Sequence, residues 1–150
     1  MSNFNQQLVA LTMATLRADG KMDTAEVDVI RRVGDDLEVD ANTIEELLKQ
    51  ENEKQNQCPD IRAYIAEVAK TVENRDDKQL IMEACVQVAL ADKELATKEV
   101  AILLMICRAL DCGLERLICD IAIFAQNDRS IKIEGSDADF DEDEIKKEEN

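Results

Sequence analysis

Two short acidic segments hold the side chains best suited to chemistry. Ala18-Asp19-Gly20-Lys21-Met22-Asp23-Thr24-Ala25-Glu26-Val27 is followed 73 residues later by Ala91-Asp92-Lys93-Glu94-Leu95-Ala96-Thr97-Lys98-Glu99-Val100, with Ala, Asp, Thr, Glu and Val in the same five places. Each segment reads as a turn between two helices, where carbonyls ending one helix meet carboxylates from the turn and from the start of the next. Oxygen-only ligand sets of this kind suit hard cations such as Ca²⁺ or Mg²⁺. A second reading needs no metal. Asp23-Thr24-Ala25-Glu26 has the spacing of a capping box, worth about 1 kcal/mol, with Met22 and Leu95 as apolar staples just outside the helix starts. Capping accounts for Glu99 less well, because Ala96 stands at its cap position, and it does not account for Asp19 or Asp92. The half-positive helix N-terminus stabilises Glu26 and Glu99 but opposes a nearby cation. A single turn would therefore bind weakly, with a Kd on the order of 10⁻⁴–10⁻³ M, unless both turns share one face and pool their carboxylates. Both readings stand at this point.

Other chemistries fit poorly. The chain has no His, which excludes Ser-His-Asp and Cys-His catalysis and His-ligated zinc. Read as an EF-hand loop from Asp19, the sequence puts Thr24 where Gly is required and Ile30 where the bidentate Glu belongs. A second match from Asp137, with Asp139, Asp141 and Glu148, puts Glu142 at the Gly position and has no flanking helices. Gly20-Lys21 lacks the upstream Gly of a phosphate loop, since Thr15 stands there. The paired carboxylates sit at expected exposed helix starts, away from the apolar pocket that raises a catalytic pKa, so no enzymatic activity is expected. Five cysteines without CxxC spacing read as reduced thiols, mostly buried, with Cys112 at a helix end the most accessible.

The elements that position these turns are helical. One Pro, three Gly before residue 127, and apolar residues at intervals of three and four predict an all-α domain of about seven helices over residues 1–126. They are expected near Gln6–Arg17, Thr24–Leu37, Thr43–Lys54, from Pro59 through Val72, Asp77–Ala91, Thr97–Leu110, and from Leu114 to about Ala125. The fifth and sixth carry so little polar surface that they are expected at the centre, with Leu103, Leu104, Met105 and Ile106 buried. Leu114, Leu117, Ile118, Ile121 and Ala125 form the expected buried stripe of the seventh. Downstream of the acidic turns, Val29, Ile30, Val33 and Leu37 align with Ile102, Leu103, Ile106 and Leu110 at the same offset. This predicts a bundle built from two pseudo-symmetric helix-turn-helix repeats.

Acids outnumber bases by 34 to 18, a net charge of −16, which disfavours binding to nucleic-acid backbones. The excess splits into −10 up to Gln126 and −6 in residues 127–150, where helical periodicity ends and a disordered acidic tail is expected. Phe140 and Ile145 sit among its acids as anchors for a basic protein partner would. The longest all-apolar run, Val100–Cys107, is far below the roughly 18–20 residues of a spanning helix. With no basic, apolar leader at the N-terminus, the expected location is the cytoplasm.

The doubled motif, an Ala-Asp-Gly turn after an apolar helix with a Glu opening the next helix, resembles the TerB family of tellurite-resistance proteins and related TerB-like domains. The resemblance spans about Leu8–Ala125. It implies an all-helical, pseudo-twofold fold, divalent-cation ligands in the acidic turns, and a role in stress or defence alongside other Ter-type or membrane-associated proteins. Carried over by position, the implied ligands are Asp19 and Glu26 in the first turn and Asp92 and Glu99 in the second, with Asp23 and Glu94 as helpers. Lys93 and Ala96 depart from the family pattern, and the acidic tail lies outside the resemblance.

Overall fold

The computed structural model describes residues 2–19, 24–91, 93–127 and 132–133. They form an all-α bundle: α1 (Ser2–Leu16), a 3₁₀ turn (Arg17–Asp19), α2 (Thr24–Asp36), α3 (Ala41–Asn56), α4 (Ile61–Lys70), α5 (Arg75–Ala89), α6 (Thr97–Ala109) and α7 (Leu114–Asn127). Two residue pairs add the only strands among the described residues. β1 (Glu94–Leu95) runs parallel to β2 (Lys132–Ile133), with Glu94 opposite Lys132 and Leu95 opposite Ile133. That pairing lies inside the stretch read as an acidic tail, of which the other residues from 128 onward lie outside the described part.

Side chains set the helix starts. Asp40 caps α3 by accepting from the Thr43 N–H at 3.2 Å, and Asn74 caps α5 by accepting from the Asp76 N–H at 2.8 Å. Pro59 is not in the first turn of α4 as expected. Asp60 takes the cap, accepting from the Arg62 and Ala63 N–H groups at 3.1 and 3.2 Å, so α4 begins at Ile61.

The centre of the bundle is α1 against α5, with α6 to one side. Every residue of α1 from Gln7 to Leu16 is buried, and α1 packs against α2, α3, α4, α5 and α6. This corrects the expectation that the fifth and sixth helices share the centre. Thr12 and Thr15 are the hydroxyl side chains within the buried run of α1. Their hydroxyls return to the helix, donating to the Leu8 carbonyl at 2.6 Å and the Leu11 carbonyl at 2.9 Å, and so enter the core satisfied. Cys85 on α5 lies fully buried beside Thr15, and burial pushes its thiol up to about 12. In α6, Leu103 and Ile106 are wholly buried, but Leu104 and Met105 are only partly so, because one side of the helix faces outward.

The α7 stripe also differs from expectation. Only Leu117 of the five residues is buried, while Leu114 and Ile118 are 50% and 58% exposed. The helix packs on α5 and α6 through Leu117, with Ile121 and Phe124 partly buried beside it. Of the cysteines, Cys85 and Cys107 are buried and Cys119, not Cys112, is the exposed one. No helix among the described residues is long and apolar enough to cross a membrane.

The 73-residue offset reaches further than the acidic turns. Its application to α1 and α2 gives the bounds of α5 and α6, and the start of α3 gives the start of α7. The same offset relates the helix ends. Val39 N–H donates to the Gly34 carbonyl and Cys112 N–H to the Cys107 carbonyl, both at 2.9 Å, and Glu38 and Asp111 adopt left-handed φ of 61° and 56°.

Ile106→Ala is expected to cost about 2–5 kcal/mol, and Leu104→Ala clearly less, because only the first leaves a buried cavity. Urea unfolding of both variants beside the parent measures the difference.

Candidate cation site at the acidic turns

The first turn leaves α1 through Arg17–Asp19, and α2 opens at Thr24; the second leaves α5 at Leu90, passes β1, and opens α6 at Thr97. Glu26 and Glu99 hold the same third position of their helices and are each 1% exposed. A carboxylate so placed faces the positive end of its own helix, which offsets part of the cost of burying it. Glu99 Oε1 accepts from the Ala96 N–H at 3.1 Å. Half of a capping box therefore forms where the cap residue is alanine, so capping accounts for Glu99 better than its sequence context predicts. Leu95, just outside that cap, is buried as the expected staple.

The 3₁₀ turn Arg17–Asp19 packs against α6, the helix that the second turn opens. Arg17 is fixed there by its guanidinium, which donates to the carbonyl of Asn52 at 3.2 Å and to the Asn52 side chain. Glu94 lies exposed on β1. Asp23, Asp92 and the side chain of Asp19 lie outside the described residues. Among the described residues, no three Cys, Asp or Glu side chains form a cluster able to hold a metal ion. Lys93 adopts a left-handed φ of 68°, where glycine is favoured. The first segment has Gly20 at that place.

Sequence reasoning missed two other buried carboxylates. Glu51 and Gln55 on α3 lie in the entirely polar stretch Glu51–Gln57, yet they are 2% and 5% exposed. Tyr64 donates its hydroxyl to Glu51 Oε2 at 2.7 Å, and Gln55 Nε2 donates to the Ala10 carbonyl of α1 at 2.9 Å. Burial and the Glu51 carboxylate hold the Tyr64 hydroxyl far above the ordinary tyrosine range. The signal was present: Ile44, Leu48, Glu51 and Gln55 continue one stripe at intervals of four, three and four. Asp120 on α7 is the other, 5% exposed, with Oδ1 at 3.3 Å from Arg116 Nε. Burial raises its pKa above the ordinary carboxylate value, while Arg116 pulls it down.

With this architecture in view, the helical fold and doubled acidic turn define a TerB-type domain. Residues 5–118 match the family model described as tellurite resistance protein TerB, and the chain belongs to that family. Comparison with curated proteins and with solved structures finds no match.

Two outcomes follow from this geometry. Lys93→Gly is expected to raise stability by about 0.5–1 kcal/mol, the relief of left-handed strain less the entropy of glycine, measured by urea unfolding. Asp120 has its pKa raised on folding, so its contribution is full at low pH and is lost as pH rises through the raised value. Asp120→Asn does not titrate. The variant is therefore expected to gain stability relative to the parent as pH rises from the ordinary aspartate value through the raised one, read from unfolding curves across the acidic range.

Proposed function

We propose that the chain acts as a non-enzymatic, tellurite-resistance-type module of the TerB family that binds a divalent cation at its acidic turns and engages a protein partner. The observation that carries the cation reading is the burial of Glu26 and Glu99 at matching helix starts, with the first turn packed on the helix that the second turn opens. An approach of the first turn to α6 is the condition under which carboxylates of the two turns pool. The proposed ligand set is Asp19, Glu26, Asp92 and Glu99, helped by Asp23 and Glu94, and oxygen-only donors select Ca²⁺ or Mg²⁺. The cation adds positive charge where the helix N-termini are already positive, so the site is weak and loads only at high cation concentration.

A metal-independent adaptor is the second reading, favoured by α7. Leu114, Ile118 and Ile123 stay more than half or about half exposed on it, at 50%, 58% and 53%, on an otherwise strongly acidic protein. Exposed apolar side chains of this size on one helix suit a protein surface rather than bulk water.

Titration of metal-stripped protein with Ca²⁺, Mg²⁺ and Mn²⁺, followed by amide NMR, separates the readings. Saturable shifts around Ala25–Val27 and Thr97–Val100, with a Kd on the order of 10⁻⁴–10⁻³ M and at least tenfold weakened by Glu26→Gln with Glu99→Gln, are expected. Silence of both turns up to several millimolar would leave the adaptor alone.

A further inference from the structure

A cleft of about 690 Å³ opens where the start of α5 meets the α6–α7 turn, at the opposite end of α5 from the acidic turn. Its basic lining is Arg75, Lys78 and Arg116, with Cys112 and Cys119 beside them. Three cations in one concavity stand out on a chain of net charge −16. Among the described residues, no carboxylate pairs with Arg75 or Lys78, whereas Arg116 is braced by Glu83 and Asp120. Those two contacts engage only part of the five-donor guanidinium fork. Burial raises the pKa of the Cys112 thiol on the same lining, with Lys78 and Arg116 pulling it down and Asp111 and Asp120 pushing it up.

The first half of the chain has its own version of this cleft, about 450 Å³, at positions related by the same 73-residue offset. There Asn5 stands for Lys78, Thr43 for Arg116 and Asp40 for Gly113. Asp40 fills the start of α3 with its own carboxylate. Gly113 has no side chain to do so at the start of α7, and Glu115 reaches back to that place, its Oε2 lying 2.7 Å from where a Cβ on residue 113 would stand. One copy is thus neutral to acidic and self-capped; the other carries cations around a helix start occupied by a displaceable carboxylate. Shared architecture cannot account for that contrast, because both clefts have the same architecture.

We propose that the cleft between α5 and the α6–α7 turn binds the phosphoryl group of a small phosphorylated metabolite, with Arg75, Lys78 and Arg116 as its ligands and Glu115 giving way to it. Arginine forks and a lysine point charge are the side chains that recognise such groups. The volume falls within the range of small-molecule sites and far exceeds a bare oxyanion, which leaves room for the organic part. Asp111 and Glu115 on the lining keep the site weak and select against extended polyanions.

The test is amide NMR of the full chain titrated at constant ionic strength with inorganic phosphate, with glycerol phosphate as an organic monoester, and with chloride. Saturable shifts at Lys78, Gly113 and Arg116 with both phosphates, tighter for the monoester and absent with chloride, are expected. Arg75→Gln with Lys78→Gln should weaken binding at least tenfold, and Glu115→Gln should tighten it several-fold. Both changes are on solvent-accessible side chains, and an unchanged spectrum away from the cleft confirms folding. Equal response to chloride, or binding unaffected by the double substitution, would overturn the proposal. Preference for inorganic phosphate over the monoester would overturn the organic ligand.

Discussion

The burial of α1 on every side from Gln7 to Leu16 is the constraint on which the rest of the bundle depends. A helix enclosed by five others cannot shift without moving all of them, so the turn that leaves it is fixed against α6 and the polar end of α3 is fixed against its backbone. Enclosing it also obliges its polar groups to find partners within the core. Thr12, Thr15 and Gln7 do so, the last by donating to the Thr71 hydroxyl at 2.8 Å. Apolar burial supplies the driving force, and these hydrogen bonds decide which arrangement of that apolar surface is tolerated.

The same packing gives the acidic residues two different environments. Most of the surplus of acids is spread over exposed helix faces, where mutual repulsion is screened within about 8 Å at physiological salt. Glu26, Glu51, Glu99 and Asp120 are instead drawn inside, each with a compensating feature: a helix N-terminus, a tyrosine hydroxyl, a backbone N–H or an arginine. A cation at the acidic turns would add to the compensation of the first and third, which ties cation binding to stability of the same helix starts.

Recurrence at 73 residues extends over three helices and both helix-ending turns, yet the two halves differ in chemistry. The first carries Gly34 pressed close to Ile44, where an added Cβ would lie 2.8 Å from its side chain, and a self-capped α3. The second carries Cys107 at the matching place, a positive-φ lysine before α6, and a basic cleft before α7. Backbone features recur because they follow from helix geometry and capping. Side-chain chemistry is free to diverge wherever it faces solvent.

Much of the fold was legible in the residues themselves. Apolar spacing located the helices of the bundle, and an offset visible in five identities marked the acidic turns, because helix periodicity and capping act over three or four residues and leave their signature locally. Tertiary structure decided what depends on residues far apart. It placed α1 rather than α6 beside α5 at the centre, because threonines that bond to their own helix read as polar until their surroundings are known. It exposed Leu114 and Ile118, because a stripe is buried only as far as neighbouring helices reach across it. It also put Glu51 against Tyr64, buried the two turn glutamates, and gathered Arg75, Lys78 and Arg116 into one cleft. Burial and charge convergence are properties of the packed chain, and no local sequence pattern specifies them.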